Sequence, residues 1–477
     1  MSEVGNLLIH WIGQASPWLS AIIITVGLMQ NTVYLTQLVI AFAELRRHRP
    51  DKRSTRLWAG VSEVAPPISL LVPAFNEEAT IVENIHSMLA LQYPSFEVVV
   101  INDGSRDQTL EVVIAAFDLK PIDRSYERSA EHKAIRGLYG SPRYPNLVVV
   151  DKENGGKSDA LNAGINLSRS PYFCAIDADS LLEPDALLRA VRPFVDDPER
   201  MIAVGGTIRI VNGSTVRAGK VVEVGLPRHI LPLFQTVEYL RAYLMARLAL
   251  SRLGILILIS GAFGIFRRSA AVAVGGYSHG TVGEDLELVL KMHRHHREHG
   301  IPYRISYLPE PVCWTEAPQS TRVLARQRIR WQRGALETFF KHKTMLFNPR
   351  YGRLGMVGLP LMMIEDVMGP PIEILGYLLI PLLVVTGILG WEYFLALMAL
   401  TIVFGIAISV LSLVLEEMEL RRFPHARDLA VLMLAAVIEN FGYRQLNNFW
   451  RVVGYWRYLR GAQGWGRMVR TGFRVAP

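Results

Sequence analysis

Apolar residues are distributed unevenly along the chain, and this pattern restricts its architecture more than any other feature. Half of the 477 residues are hydrophobic, and they concentrate near the N-terminus and beyond residue 355. The stretch from Pro17 to Leu45 is long enough to cross a bilayer core, which takes about 20 apolar residues. It lacks the basic leading region and the small-residue cleavage site of a secretory signal peptide. The pattern predicts a soluble domain carried on membrane helices.

Further apolar segments near the C-terminus predict additional spans. Residues Ile372–Leu389 and Tyr393–Leu415 are typical of a membrane hairpin, and we expect roughly three to five spans in total. The segment Asp428–Phe449 is apolar but contains charged and amide side chains, so a span, a re-entrant pair and an interfacial helix all fit it. The segment Arg353–Gly369 is less apolar and predicts an amphipathic helix at the membrane surface.

Basic residues indicate the orientation. They cluster between Arg46 and Arg56, directly after the first span, whereas no Lys or Arg precedes that span. The positive-inside rule therefore predicts an outside N-terminus and a cytoplasmic domain after the span. The basic tail that follows Tyr443 is expected on the cytoplasmic side as well.

Charge and cysteine usage restrict the partners. The formal net charge is +8, and the basic residues lie near the hydrophobic segments, which favours contact with an anionic lipid bilayer. No nucleic-acid-binding motif is present, so we expect no nucleic-acid partner. Cys174 and Cys313 belong to no Cys/His cluster, so we expect packing roles rather than a zinc site, in a reducing compartment.

The region from Pro67 to about Lys343 alternates short β-rich runs with helical stretches. Continuous apolar strands such as FEVVVIND alternate with helices, which predicts a mainly parallel, doubly wound sheet. Ligands bind such sheets at the carboxyl ends of the strands. We expect an N-terminal membrane segment at residues 1–56, an α/β domain at 57–345 and a membrane region at 346–477.

Several polar residues follow the predicted strands. Asp177 and Asp179 are two residues apart, a spacing that suits either a divalent cation or a turn with a capping Asp. Asp103 fits either a nucleoside contact or an Asx turn. Lys157, after a glycine pair, fits either a phosphate site at a helix start or an ordinary strand–helix loop.

Two later segments also carry candidate chemistry. Glu284 and Asp285 begin a predicted helix, where a carboxylate serves either as a cap or as a general base. The segment Gln327–Trp331 lies in a basic helix. Its arginines suit a diphosphate and its tryptophan suits a sugar ring, although a basic helix resting on the membrane explains it equally well.

Taken in order, VPAFNEE, INDGS, GGKSDALNAG, DAD, GED and QRIRW resemble the motifs of family 2 glycosyltransferases. The resemblance is to the membrane-bound processive branch, which includes cellulose, chitin, hyaluronan and poly-N-acetylglucosamine synthases. It implies a GT-A fold, which is a Rossmann-like α/β domain, on the cytoplasmic side of a bacterial inner membrane. Transmembrane and interfacial helices would complete the protein.

The resemblance also implies roles for individual residues. Asp285 would be the catalytic base, and Asp179 would coordinate Mg²⁺ or Mn²⁺ on the donor diphosphate. Trp331, Glu284 and Gly261 would contact the acceptor, although TVGED matches the family's TED element only in part. The implied donor-binding residues are Pro73, Ala74, Phe75, Glu77, Asp103, Lys157, Asp177, Gln327 and Arg330.

The implied activity is inverting transfer from UDP-glucose or UDP-N-acetylglucosamine to a growing β-linked polysaccharide, coupled to export. The alternative is a non-processive enzyme of the same fold that adds one sugar to a membrane lipid. A transporter or scaffold that has lost catalysis is a third reading, which the complete set of carboxylates opposes. The expected partners are the UDP-sugar, the glycan, the bilayer and an accessory export or regulatory subunit.

Overall fold

The computed structural model describes residues 3–47, 63–217, 219–420 and 425–461. The basic cluster at residues 48–56, the predicted boundary at residues 56 and 57 and the tail from residue 462 onward lie outside the described residues.

The described part of the α/β domain contains twelve strands in two sheets. They are β1 (Ile68–Ala74), β2 (Phe96–Asp103), β3 (Lys120–Pro121), β4 (Ile135–Ser141), β5 (Tyr144–Lys152), β6 (Tyr172–Ala175), β7 (Leu181–Leu182), β8 (Met201–Ile210), β9 (Thr215–Arg217), β10 (Lys220–Glu223), β11 (Gly264–Arg267) and β12 (Arg304–Thr315). Ten of them form one sheet in the order β3-β4-β5-β2-β1-β6-β11-β8-β12-β7, and β9 pairs with β10.

The helices surround this sheet and continue into the apolar segments. They are α1 (Glu3–Arg47), α2 (Ile81–Leu89), α3 (Thr109–Phe117), α4 (Lys157–Leu167), α5 (Ala186–Asp196), α6 (Ile230–Tyr239), α7 (Arg247–Leu253), α8 (Arg268–Ala273), α9 (Glu284–Glu298), α10 (Thr321–Lys341), α11 (Leu354–Val385), α12 (Trp391–Leu420), α13 (Ala426–Ile438) and α14 (Tyr443–Leu459). A π-helical turn, Leu240–Ala246, joins α6 to α7.

The centre of the sheet agrees with the prediction. Strands β5, β2, β1 and β6 are parallel, and β1 is buried along almost its whole length. Beyond β6 the sheet is mixed, because β11 runs antiparallel to both β6 and β8 before β12 pairs parallel with β8. The parallel strands end at one edge of the sheet, and that edge carries the candidate site residues.

Among the described residues, three helices are long and apolar enough to cross a membrane: Pro17–Arg47 within α1, the whole of α11, and Trp391–Glu417 within α12. The predicted surface helix at Arg353–Gly369 is not a separate element, because it continues into the following span as α11. A π-helical turn at Met363–Met368 precedes Pro370 and Pro371. This wider turn carries the helix into two residues that lack a backbone N–H donor.

The segment Asp428–Phe449 is not a single span. Helix α13 ends at Ile438, and α14 begins after Gly442, whose φ of 98° interrupts the helical backbone. Helix α14 packs closely on α10, since a Cβ at Gly454 would lie 2.8 Å from the side chain of Gln332.

Buried ion pairs join the α/β domain to the apolar helices. Arg209 on β8 pairs with Glu416 on α12, and both side chains are almost fully buried. Arg241 pairs with Glu439, whose carboxylate also accepts a hydrogen bond of 2.8 Å from Ser409. Because breaking a buried pair leaves an uncompensated charge, these contacts favour one fixed arrangement of sheet and helices.

Candidate active site

Lys157 links the candidate donor residues. It is the first residue of α4, and its Nζ lies 2.6 Å from Asp177 Oδ1 and 3.4 Å from Glu284 Oε1. Burial alone would lower the pKa of Lys157, but the carboxylates of Asp177 and Glu284 hold it above its ordinary value. Lys157 therefore carries a positive charge at the carboxyl edge of the sheet.

The loop before Lys157 is held by Asp103. The buried Asp103 carboxylate accepts hydrogen bonds from Lys152 Nζ at 2.6 Å and from the backbone N–H groups of Gly155 and Gly156 at 2.9 and 2.7 Å. Gly156 has a φ of 89°, which suits glycine better than any other residue. Asp103 thus fixes the loop that presents Lys157. Its predicted contact with a nucleoside stays a prediction.

Glu284 and Asp285 begin α9 and have different surroundings. Glu284 is buried, and this burial raises its pKa against the opposing effect of Lys157. Asp285 is partly exposed, and its two oxygens accept hydrogen bonds from the N–H groups of Leu286 at 2.8 Å and Gly261 at 3.0 Å. These two bonds fix the Asp285 carboxylate in a defined orientation.

Gly261 lies between the two ends of the site. A Cβ at this position would be 2.7 Å from Lys157 Nζ and 3.6 Å from Asp285 Oδ2. Glycine therefore allows the segment to pass close to both charged groups.

The QRIRW segment on α10 supplies the aromatic part of the site. The Trp331 ring is 39% exposed, and the guanidinium carbon of Arg328 lies 4.5 Å from its centre. Arg328 donates a 2.7 Å bond to Glu238, which also accepts a 2.8 Å bond from the Tyr443 hydroxyl. Sequence patterns do not mark Glu238 or Tyr443, because Glu238 lies 90 positions from Arg328 and Tyr443 lies 205 positions from Glu238.

One cavity of about 740 Å³ connects these groups. Nine of the site residues predicted from the sequence line this cavity: Lys157, Asp177, Asp179, Gly261, Glu284, Asp285, Gln327, Arg330 and Trp331. The cavity continues between the apolar helices, where Gln37, Glu365 and Asn447 line it. Each of these three side chains has a buried oxygen without a hydrogen-bond partner among the described residues.

The predicted uridine-site residues lie outside this cavity wall. Pro73 and Ala74 end β1, and the Phe75 ring beside them is 44% exposed. The loop that follows is held against the end of β2, because the Glu77 N–H donates a 2.9 Å bond to Thr109. These residues occupy the carboxyl edge of the sheet next to β2.

The carboxylates near the cavity fit a divalent cation that also binds phosphate. Among the described residues, no group of three or more His, Cys, Asp or Glu side chains is placed to hold a metal ion. Asp177 and Asp179 both line the cavity, and Mg²⁺ is commonly held by one or two carboxylates together with substrate phosphates. The donor set suits such a shared site and not a metal enclosed by protein ligands alone.

Comparison with protein-family models identifies the chain. Residues 172–438 match the model described as glycosyl transferase family group 2, and residues 69–274 match glycosyl transferase family 2. The chain belongs to glycosyl transferase family group 2. The resemblance noted in the sequence is thereby confirmed.

Curated relatives agree with this family. A poly-beta-1,6-N-acetyl-D-glucosamine synthase of Staphylococcus epidermidis is 30% identical over 275 residues, which cover 57% of this chain and 56% of the relative. The synthase of the same description from Staphylococcus aureus strain COL shows the same identity over 275 residues, with the same coverage. The chain thus spans little more than half the length of these relatives.

A solved structure supports the fold. A mannosyltransferase from Pyrobaculum calidifontis in complex with GDP-Man and Mn2+ superimposes with a TM-score of 0.50 at 17% identity, over 92% of this chain and 99% of that one. With the family match, this likeness confirms the predicted GT-A-type α/β fold.

Proposed function

We propose that the protein transfers N-acetylglucosamine from its UDP-activated form to a growing β-linked glycan, with inversion at the anomeric carbon. The continuous cavity that joins Lys157 and Asp285 to Trp331 and the apolar helices carries this proposal. The sequence left glucose and N-acetylglucosamine open. The N-acetylglucosamine synthases among the relatives favour the second sugar.

Asp285 is the proposed base. Its fixed, partly exposed carboxylate accepts the proton of the attacking acceptor hydroxyl, while the hydroxyl oxygen bonds to the anomeric carbon and UDP leaves. Glu284 is less suited, because it is buried and its carboxylate already contacts Lys157 Nζ. A single displacement with one base inverts the configuration, so an α-linked donor gives a β-linked product.

The donor end stabilises the leaving group. Lys157, Gln327 and Arg330 would donate to the diphosphate oxygens as negative charge builds up on UDP, and preorganised charge of this kind is usually the largest catalytic effect. Asp179, with Asp177 beside it, would hold a Mg²⁺ or Mn²⁺ ion, which neutralises diphosphate charge when bound.

The acceptor end receives the glycan. The Trp331 face is proposed to stack on the terminal sugar, and the cavity beyond it would lead the product between α1, α11 and α14. Buried oxygens of Gln37, Glu365 and Asn447, which lack a partner in the described part of the chain, line this path and suit a hydroxyl-rich glycan. A cavity that continues from the site into the apolar helices favours a processive enzyme coupled to export over single addition to a lipid. In this proposal the α/β domain lies in the cytoplasm.

The test is incubation of detergent-purified protein with radiolabelled UDP-N-acetylglucosamine or UDP-glucose and Mg²⁺ or Mn²⁺, with products resolved by size. High-molecular-weight label from UDP-N-acetylglucosamine alone is the expected result. Label confined to a small lipid-soluble product would instead establish single addition.

A further inference from the structure

Three arginines lie on α7 and the π-helical turn before it, and one of them differs from the others. Arg241 pairs with Glu439, and Arg252 Nε lies 3.2 Å from Glu44 Oε2. Arg247, between them, has no carboxylate within ion-pair distance anywhere in the described ranges 3–47, 63–217, 219–420 and 425–461. All three arginines lie on one helical segment, so the difference in ion pairing comes from the side chains around each of them.

Arg247 faces the cavity close to the proposed base. It lines the cavity, and its guanidinium carbon lies 3.8 Å from the centre of the Tyr243 ring. The Tyr243 hydroxyl is 3.5 Å from Ser260 Oγ, and the next residue, Gly261, donates to Asp285. Arg247 Nη1 is buried without a hydrogen-bond partner in the described part of the chain.

The other cations of the cavity wall are engaged. Lys157 contacts Asp177, Arg328 contacts Glu238, Arg451 contacts Asp366, and Arg330 also has an interaction within the chain. A buried guanidinium nitrogen without a hydrogen-bond partner is costly, because it loses its hydration and gains no hydrogen bond in return. Tyr243 and Tyr307 contact the Arg247 guanidinium, but its Nη1 has no partner among the described residues, and an oxygen supplied by a ligand would satisfy that nitrogen.

We propose that Arg247 binds the carbonyl oxygen of an N-acetyl group on the acceptor sugar and so selects N-acetylated glycans. The proposal rests on the proposed function and adds the residue that determines acceptor specificity. With Lys157 proposed for the diphosphate, Arg247 is left for the acceptor sugar, because Tyr243 and Ser260 connect it to Gly261, which donates to the proposed base Asp285.

The apolar surroundings of Arg247 fit the rest of the acetamido group. Ala246 and Leu250 line the cavity beside it, and Leu250 lies three residues further along the same helix face. Leu256 and Leu258 line the wall on the following segment. A guanidinium donor flanked by alkyl side chains matches a carbonyl oxygen with an attached methyl group better than it matches a hydroxyl.

The experiment is calorimetric titration of full-length protein in detergent with UDP present. The probes are β-1,6-linked tetrasaccharides of N-acetylglucosamine and of glucose. The wild type is expected to bind the N-acetylated probe at least about tenfold more tightly, and Arg247→Gln is expected to remove that preference. Arg247→Lys should keep part of it, and the matched control Arg252→Ala should behave as wild type.

Four results would overturn the proposal: equal affinity of the wild type for both probes, a loss in Arg247→Gln that is the same for both, a loss of UDP affinity instead, or tighter wild-type binding of a glucuronate tetrasaccharide. The wild-type comparison stands even if a variant fails to fold. Because the titration needs no turnover, it is independent of the radiolabel assay, whose failure would count against the proposed function alone.

Discussion

The two ends of the cavity are built in different ways. At the donor end, Asp177 and Asp179 follow β6, and Lys157 begins the helix after β5, so local chain segments place them. At the acceptor end, Arg328 depends on Glu238 and Tyr443, which three separate helices bring together.

Because the two ends are built differently, we expect substitutions at each end to affect different properties of the enzyme. The donor end inherits its geometry from a parallel sheet whose strands end at one edge, so the motif residues meet once the sheet forms. The acceptor end depends on the packing of α6, α10 and α14. We therefore expect changes at the donor end to act on chemistry and donor binding, and changes at the acceptor end to act on acceptor affinity.

The largest expected effect lies where the two ends meet, at Asp285. The Asp285→Asn variant should lose about 10²–10⁴-fold in transfer rate, because an amide cannot accept the proton of the acceptor hydroxyl. Binding of UDP should stay within about twofold of wild type. Initial rates with labelled donor and UDP titration measure the two quantities. The control is Asp196→Asn, whose side chain is 67% exposed, and retained turnover in Asp285→Asn would refute the base assignment.

A buried histidine behind the cavity wall, His293, is expected to make the stability of the protein depend on pH. His293 is buried, with Nδ1 2.7 Å from the Tyr303 hydroxyl and Nε2 2.9 Å from the Leu256 carbonyl oxygen. Burial lowers the pKa of His293 to about 4 from 6.5. The folded protein therefore keeps this ring neutral in a range where the unfolded chain takes up a proton.

The stability that depends on neutral His293 is complete above pH 6.5 and is lost as the pH falls towards about 4. The loss should reach about 3 kcal/mol, at about 1.36 kcal/mol per unit of pKa. Melting of wild type and His293→Gln in detergent at a series of pH values measures it. The wild type should destabilise more steeply over this window. Parallel curves would show that His293 is not the titrating group.

The donor end alone should respond to Asp179→Ala. Loss of a cation ligand is expected to weaken metal-dependent donor binding by at least about tenfold. Titration of the UDP-sugar with Mn²⁺ and then with a chelator measures the effect, and Asp196→Ala is the control. If the chelator weakens donor binding equally in wild type and Asp179→Ala, Asp179 does not hold the cation.

The same difference explains what the sequence predicted. Strands β1, β2, β5 and β6 and the helices after them follow from apolar runs with polar residues at their ends, so the parallel core was predicted. The mixed half of the sheet was missed, because the antiparallel pairing of β11 with β6 and β8 joins segments that lie far apart in the sequence.

The acceptor end was predicted only where a motif marked it. Trp331 and Arg330 belong to QRIRW, whereas Glu238 and Tyr443 are isolated polar residues in helical stretches. Their role follows from the packing of helices that lie far apart in the sequence. Periodicity and motif spacing are local patterns and carry no information on such contacts. The continuity of α11 was missed because the less apolar segment Arg353–Gly369 predicts a separate surface helix, whereas a π-helical turn carries it into Pro370 and Pro371.

The smallest expected effect tests the acceptor end at its outermost contact. Tyr443→Phe removes the hydroxyl that donates to Glu238 but keeps the ring packed against Phe234. Glu238 then still pairs with Arg328 but has lost its hydrogen bond from residue 443. Arg328 in turn lies against the Trp331 ring. Because Trp331 is proposed to stack on the acceptor, the acceptor KM should rise about threefold to tenfold, the equivalent of one hydrogen bond of about 1 kcal/mol.

Comparing kcat with the acceptor KM of Tyr443→Phe shows how the substitution acts. Tyr443 is a positioning residue, so kcat at saturating acceptor and the donor KM should stay near wild type in Tyr443→Phe. Tyr458→Phe is the matched control on the same helix, since Tyr458 stacks on Phe340 and has no part in the Glu238 cluster. A fall in kcat with an unchanged acceptor KM would mean that the helices act on the chemical step, and the two ends of the cavity would then not be functionally separate.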